Sequence, residues 1–233
     1  LGQVEHLQQE LIANISHDLR TPLTMIGGYA EVMRDIPGEN TPENMQIIID
    51  ETSRLSSLVT ELLDFSKLQA GTLKMEPSVF SLTQAVTAIL TRYNKLKEQE
   101  GYQILFEPAE ECNVYADEGR IGQVIYNLTN NALTYTGPDK TVTVTQTVEG
   151  DQVRIAVHDS GQGIPQEELP LIWNRYYRSK ENHKRAIQGS GLGLSIVRSI
   201  LEAHHAPYGV ESQAGTGTTF WFMLPRRNEE QEK

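Results

Sequence analysis

The chain has 233 residues, 38% of them apolar and 22% charged, with a formal net charge of −11 at pH 7. That length suffices for one large domain, or for a long helical element plus a medium one, and the acidic balance argues against a general nucleic-acid or membrane-surface binder. A lone Cys112 allows no intramolecular disulfide and no cysteine metal cluster, which fits a reducing compartment. No apolar run approaches the roughly 20 residues of a membrane-spanning helix, and no signal-peptide pattern is read. The chain opens at Leu1 already inside a helical pattern and reads as a fragment of something longer.

In the first segment Ile12, Ile15, Leu19, Pro22, Ile26, Tyr29 or Ala30, and Met33 follow a helical packing seam. "IPGENTP" breaks it, with Thr41 as N-cap and Pro42 at the first position of the next helix. That second helix carries Met45, Ile48, Leu55, Leu58, Leu62 and Phe65 on one stripe and ends near Gly71. The two form an antiparallel hairpin over residues 1–73. Alone it cannot bury both sides of its stripes, so a dimeric four-helix bundle is expected.

After about Pro77 the texture changes. "SLTQAVTAILTRYNKLKEQ" predicts one helix, "YQILFE" a strand, and "DEGRIGQVIYNLTNNALTYT" a helix with Asp117 near its start. "TVTVTQTV" and "VRIAVH" alternate with period two around "EGDQ", which predicts a hairpin. A glycine-rich region follows, then the helix "LGLSIVRSILEAH" and the strands "YGVES" and "TTFWFML". The fold class is therefore α + α/β, the hairpin followed by a two-layer α/β sandwich over 74–227, with a loose polar tail at 228–233.

The seam places His17 on the face pointing away from it, and Thr21, one turn on, shares that face. A lone histidine in a helical stripe is ordinarily a core residue, and exposed polar residues are ordinarily solvated surface. The register excludes the first reading, and Pro22 weighs against the second. A proline costs about 3 kcal/mol in a helix interior, and Gly27 and Gly28 add about 1 kcal/mol each over alanine. So costly a stretch beside an exposed histidine suggests a helix meant to bend. An exposed imidazole at neutral pH offers a ring lone pair and can attack phosphorus to form a phosphoramidate. Asp18 could accept the proton of the other ring nitrogen, and Thr21 could place a water for the reverse hydrolysis.

Four stretches then converge on phosphate chemistry. "DSGQGI" (159–164) ends a strand with an acid and two spaced glycines, and "GSGLGL" (189–194) runs into a helix whose N-terminus can face phosphate oxygens. "GTGTTF" (215–220) precedes the last strand. Glycine pairs alone usually mean turns. In "NLTNNA", however, Asn127 and Asn131 share a helical face, and an amide oxygen there can ligate Mg²⁺ bound to phosphates.

Together these stretches resemble, over nearly the whole chain, the cytoplasmic core of bacterial sensor histidine kinases. "SHDLRTPLT" looks like that family's H-box; "NLTNNA", "DSGQG", "GSGLG" and "GTGTTF" look like its N, G1, G2 and G3 boxes, and "IWNRYYRSK" stands in place of the F-box. The resemblance implies that His17 is the phosphoacceptor, Asp18 its activating base, and Thr21 the residue placing water to dephosphorylate a partner. It implies that Asn131 holds Mg²⁺, with Asn127 beside the phosphates and Tyr135 against the nucleotide. Asp159 would accept a hydrogen bond from the adenine amino group, with Gly161, Gly163, Ile164 and Thr218 about the base. Gly189, Gly191, Leu192, Gly193, Leu194 and Arg178 would belong to the lid over the phosphates. ATP and Mg²⁺ are the implied cofactors. A homodimer and a response-regulator receiver domain are the implied partners, without nucleic acid. This segment would be the cytoplasmic portion of a longer protein anchored in the membrane, making no membrane contact itself.

Some positions depart from the family. Thr134 stands where many relatives have a phosphate-contacting lysine, and Arg178, Lys180, Lys184 and Arg185 could compensate. Trp173 stands where phenylalanine is common, and His205 and Ala206 replace the usual glycine pair. A metal role for the adjacent His204 and His205 is disfavoured, because neighbours on a helix diverge. The residues also allow a dimeric nucleotide-binding scaffold, a gyrase- or mismatch-repair-like ATPase, or a phosphatase-dominated relative acting through Thr21.

Overall fold

The computed structural model describes residues 2–69, 74–174 and 192–227; among these, 2–69 with Leu192 make one compact unit and 74–174 with 193–227 the other. In the first, α1 (Gly2–Asp35) and α2 (Pro42–Gln69) form the hairpin. α1 runs unbroken through Pro22, which is buried. Ile15, Leu19, Ile26, Tyr29 and Met33 are half-buried and Ala30 is exposed, so Tyr29 continues the seam. Thr41 caps α2 as its sequence predicts, its hydroxyl oxygen accepting the Asn44 N–H at 3.2 Å.

The α2 seam differs from the predicted stripe in one respect. Ile48, Leu55, Leu58 and Leu62 are half-buried, but Met45 is 47% exposed. Asn44 takes the inward place, its amide held to the Glu39 carbonyl at 2.7 Å, and the seam then passes through Ile47, Glu51 and Arg54. Met45, Ile49, Val59 and Leu63 form a second, exposed apolar stripe. The side chains of Ile12 and Phe65 lie outside the described residues.

The second unit contains β1 (Ser78–Ser81), α3 (Leu82–Thr91), α4 (Asn94–Glu100), β2 (Gln103–Pro108), β3 (Asn113–Ala116) and α5 (Glu118–Tyr135). The hairpin strands β4 (Thr141–Glu149) and β5 (Gln152–Asp159) follow, then α6 (Gly193–Ala203), β6 (Tyr208–Gln213) and β7 (Gly217–Arg227). The sheet order is β1-β3-β7-β5-β4-β2, antiparallel except for the parallel pair β2–β4. β7 is long enough for two partners on one edge: β6 lies along Gly217 to Phe222 and β3 along Arg226 and Arg227.

Period-two alternation sends one face of this sheet to the helices. Val142 and Val144 of β4, Val153, Ile155 and Val157 of β5, and Phe220, Phe222 and Leu224 of β7 are all buried. Also buried in this core are Leu82, Val86 and Ile89 of α3, Ile121, Val124, Ile125 and Leu128 of α5, and Ile196, Val197 and Ile200 of α6. Each such side chain fully buried contributes about 1.5–3 kcal/mol. Gln146 interrupts the face without an orphaned amide, donating to the Thr83 hydroxyl at 2.9 Å and the Glu110 carbonyl at 2.7 Å.

Two predictions for this unit are corrected. The single helix expected over "SLTQAVTAILTRYNKLKEQ" is two, α3 and α4, and the break falls at Arg92 and Tyr93. There the backbone tightens to bonds from Arg92 N to Ile89 O and Tyr93 N to Leu90 O, both 3.1 Å. The Tyr93 hydroxyl meanwhile donates to Asn130 Oδ1 on α5 at 2.7 Å. The strands β1 and β3 were not anticipated. Each has four residues, too few to show periodicity.

α6 ends in a Schellman motif, with Ala206 N donating to Leu201 O at 2.9 Å and His205 N to Glu202 O at 3.0 Å. This turn requires a left-handed residue, and His205 supplies it at φ 52°. The glycine pair usual in the family would sit there without a Cβ penalty. His205→Gly should therefore stabilise the second unit by about 1 kcal/mol, raising its melting temperature by several degrees. A melting curve unchanged or lowered in that variant would show that His205 is not strained.

Candidate active site

Two sites take shape, one in each unit. On α1 the His17 side chain is 78% exposed and that of Asp18 only 22%. His17 Nδ1 donates to Asp18 Oδ1 at 3.4 Å, which leaves Nε2 outside that contact on an exposed ring. The Thr21 hydroxyl donates to the His17 carbonyl at 3.2 Å. The three predicted residues thus share one turn of helix, as their spacing requires.

In the second unit the strand period fixes the key acid. Val153, Ile155 and Val157 face the helices, so Asp159, two residues on, faces them too. It pairs with Val142 on β4 and Thr218 on β7, the last rung of the inner face, and is 2% exposed. Burial pushes its carboxyl above the ordinary carboxylate range, while the backbone N–H groups of Gly161 and Thr218 and the neighbouring His158 draw it down. The Gly161 N–H reaches Asp159 Oδ1 at 2.9 Å.

The walls around Asp159 are backbone on backbone. A Cβ on Gly161 would lie 2.1 Å from the Tyr135 carbonyl oxygen at the end of α5, and one on Gly217 would lie 2.0 Å from the Asp159 carbonyl oxygen. A Cβ on Gly163 would meet the Gln213 carbonyl oxygen at 2.2 Å. Ser212, which no motif singled out, staples these segments. Its hydroxyl accepts the Ile164 N–H at 2.8 Å, donates to the Gly217 carbonyl at 2.9 Å and lies 3.0 Å from Thr218 Oγ1. The signal was the pairing of Ser212 with Thr218 across the β6–β7 hairpin, which spacing alone does not announce. A second missed cluster joins the Ser160 hydroxyl to the Asp139 carboxylate, to Thr136 and to the Gly137 N–H.

On α5, Asn127 and Asn131 lie one turn apart, and Asn127 Nδ2 is buried without a partner among the described residues. Gly193, the first residue of α6, is the near wall, because a Cβ there would come within 4.0 Å of Asn127 Cγ. An orphaned buried amide and a second amide a turn away fit phosphate and a hard cation: the oxygens suit Mg²⁺, the N–H groups suit phosphate. Among the described residues no group of three or more His, Cys, Asp or Glu forms a metal cluster, so an ion here would rest on amide and phosphate oxygens. Thr134 does not replace the family lysine, since its hydroxyl donates back to the Asn130 carbonyl at 2.8 Å. Tyr135 is 36% exposed at the end of α5, Leu192 is buried, and Ile164 and Leu194 are half-buried. Trp173 packs edge-on against Tyr208 and Phe220, with centroids 4.9 and 5.6 Å away. Arg178, Gly189 and Gly191, with Lys180, Lys184 and Arg185, lie outside the described residues.

A buried acid at a sheet rim, an asparagine pair and glycine-built walls, together with a helical hairpin that presents an exposed histidine, are the features this chain offers for comparison. Residues 7–71 match the His Kinase A (phospho-acceptor) domain, and residues 116–228 match the histidine kinase-, DNA gyrase B- and HSP90-like ATPase. The chain is 31% identical to sensor histidine kinase WalK of Bacillus subtilis, covering 99% of this chain and 38% of WalK. It is also 31% identical to sensor protein SrrB of Staphylococcus aureus, covering 96% and 39%. It therefore spans less than half the length of these relatives. Among solved structures, the catalytic domain of histidine kinase ThkA matches with 31% identity and a TM-score of 0.58, over 65% of this chain and 97% of that one. ThkA in complex with response regulator protein TrrA matches with 28% identity and a TM-score of 0.70, over 98% and 65%. The chain belongs to the sensor histidine kinase family.

The glycine contacts give a graded test. Gly161→Ala forces backbone apart and should cost about 2–4 kcal/mol, whereas Gly150→Ala, at a positive φ in open space, should cost about 1 kcal/mol. Equal losses in denaturant melts of the two variants would refute close packing at Gly161.

Proposed function

We propose that this chain phosphorylates itself on His17 from ATP and passes the phosphoryl group to an aspartate of a response regulator. The observation that carries the reading is the pairing, in one chain, of an exposed imidazole backed by a carboxylate with a buried-acid nucleotide site. His17 Nε2 attacks the γ-phosphorus, an N–P bond forms, and the bond to the β-phosphate oxygen breaks to release ADP. Asp18, already on Nδ1, takes the ring proton, so the phosphoimidazole is left uncharged on the ring. Asn131 would hold Mg²⁺, with Asn127 beside the phosphates, and the ion would supply charge neutralisation during transfer. Asp159 accepts from the adenine amino group, which favours ATP over GTP, because GTP presents a carbonyl there.

Thr21 is the residue for the reverse activity, dephosphorylation of the regulator. It can place water once its hydroxyl leaves the His17 carbonyl. The exposed stripe Met45, Ile49, Val59 and Leu63 supports a homodimeric four-helix bundle. No described helix is long and apolar enough to cross a membrane. The whole protein, of which this is the catalytic core, is read as a membrane-anchored sensor.

Incubation with γ-labelled ATP and Mg²⁺ should give acid-labile, base-stable label that His17→Ala abolishes. Label surviving in that variant would move the acceptor elsewhere. Asp159 adds a pH signature. Its raised carboxyl takes up a proton on acidification before the unfolded carboxyl does. As pH falls through that raised value, the nucleotide-free unit gains stability from this group, and ATP loses its ionised acceptor. ATP affinity should drop about tenfold over that window in the parent chain and be flat in Asp159→Asn. A parallel drop in both, followed by titration calorimetry, would remove Asp159 from the base contact.

A further inference from the structure

α5 and α6 pack side by side, and polar or backbone contacts mark the two ends of the pair. At the nucleotide end Gly193 faces Asn127, a Cβ on the glycine lying 4.0 Å from Asn127 Cγ. At the other end the Asp117 backbone N–H donates to His204 Nε2 at 3.0 Å, while His204 Nδ1 bonds the Ile200 carbonyl at 2.8 Å. A carbonyl can only accept and a backbone N–H can only donate. The ring is therefore the neutral Nδ1–H tautomer with its lone pair on Nε2. The Asp117 carboxylate is divided in turn. Oδ1 caps α5 by accepting the Arg120 N–H at 3.0 Å, and Oδ2 accepts the Glu76 N–H at 2.9 Å. One residue thus joins the first turn of α5, the last turn of α6 and the chain segment that enters this unit.

We propose that His204 is a positioning residue for the nucleotide site. Its Nε2 lone pair fixes α6 lengthwise against α5 and so sets the approach of Gly193 to Asn127. The helix between them, Gly193–Ala203, is a strut of 11 residues. Its rigidity carries a displacement at His204 to Gly193. Through Asp117 the same bond ties the segment at Glu76 to both nucleotide helices, so movement of that segment is read at Asn127. The proposal rests on the reading that Asn127 lies by the phosphates of ATP.

The test compares the unsubstituted chain with His204→Ala and His204→Gln, since a glutamine amide oxygen can reach the Nε2 position and accept. Titration calorimetry with MgADP gives affinity, and autophosphorylation gives KM and kcat. Loss of one aligned hydrogen bond should weaken MgADP binding and raise the KM for ATP about fivefold in His204→Ala. kcat at saturating ATP should change little, and His204→Gln should restore affinity. Parental affinity in His204→Ala overturns the proposal, as does equal weakening in both variants when circular dichroism shows both folded. If His204→Ala does not fold, His204→Gln decides: parental affinity upholds the role and weakened affinity refutes it. Failure of the ATP reading shows separately, as no heat of binding in the unsubstituted chain, and would take the proposal with it.

Discussion

A carboxylate on the apolar face of a sheet sets the terms for the whole second unit. Asp159 occupies the last rung of a face otherwise made of valine, isoleucine, leucine and phenylalanine, where an uncompensated charge costs several kcal/mol. Relief comes from backbone amides, which must be brought in from two directions. To reach the acid, the loop after β5 presses on the end of α5, and the turn before β7 presses on Asp159 itself. Neither approach leaves room for a Cβ. The glycines are thus a consequence of the buried charge, and Ser212 is what keeps the two approaches closed.

The hairpin solves the opposite problem. The His17 ring stands in water and is held by its own helix: a neighbouring carboxylate on one nitrogen and a threonine on its backbone. His17 is exposed where Asp159 is buried. The helix carrying it stays regular through Pro22 despite the lost backbone bond.

Where a pattern carries structure, the sequence is readable. The alternation of "VRIAVHD" places Asp159 inward without any coordinates, and the exposed face of α1 follows from its seam. Features made by tertiary partners were hidden. Between α3 and α4 the Tyr93 hydroxyl bonds Asn130 across on α5, and nothing local to "LTRYNK" announces that partner. The α2 seam admits Asn44, Glu51 and Arg54, which a search for apolar residues passes over in favour of Met45. Ser212 acquires its role only from the strand register, and His205 shows as a departure from the family whose left-handed backbone only the fold reveals.

The sheet also limits how copies of this protein can associate. Its outermost strands are poor templates for another strand. β1 has four residues, and β2 ends in Pro108, which has no N–H to offer, next to the charged Glu107. The free side of β6 is partly taken by the Gln166 amide, which donates to the Ser212 carbonyl at 2.9 Å. These features blunt edge-to-edge growth at β1, at the end of β2 and along part of β6. The exposed apolar stripe of the hairpin lies on a helix, where side chains and not unpaired backbone groups face outward.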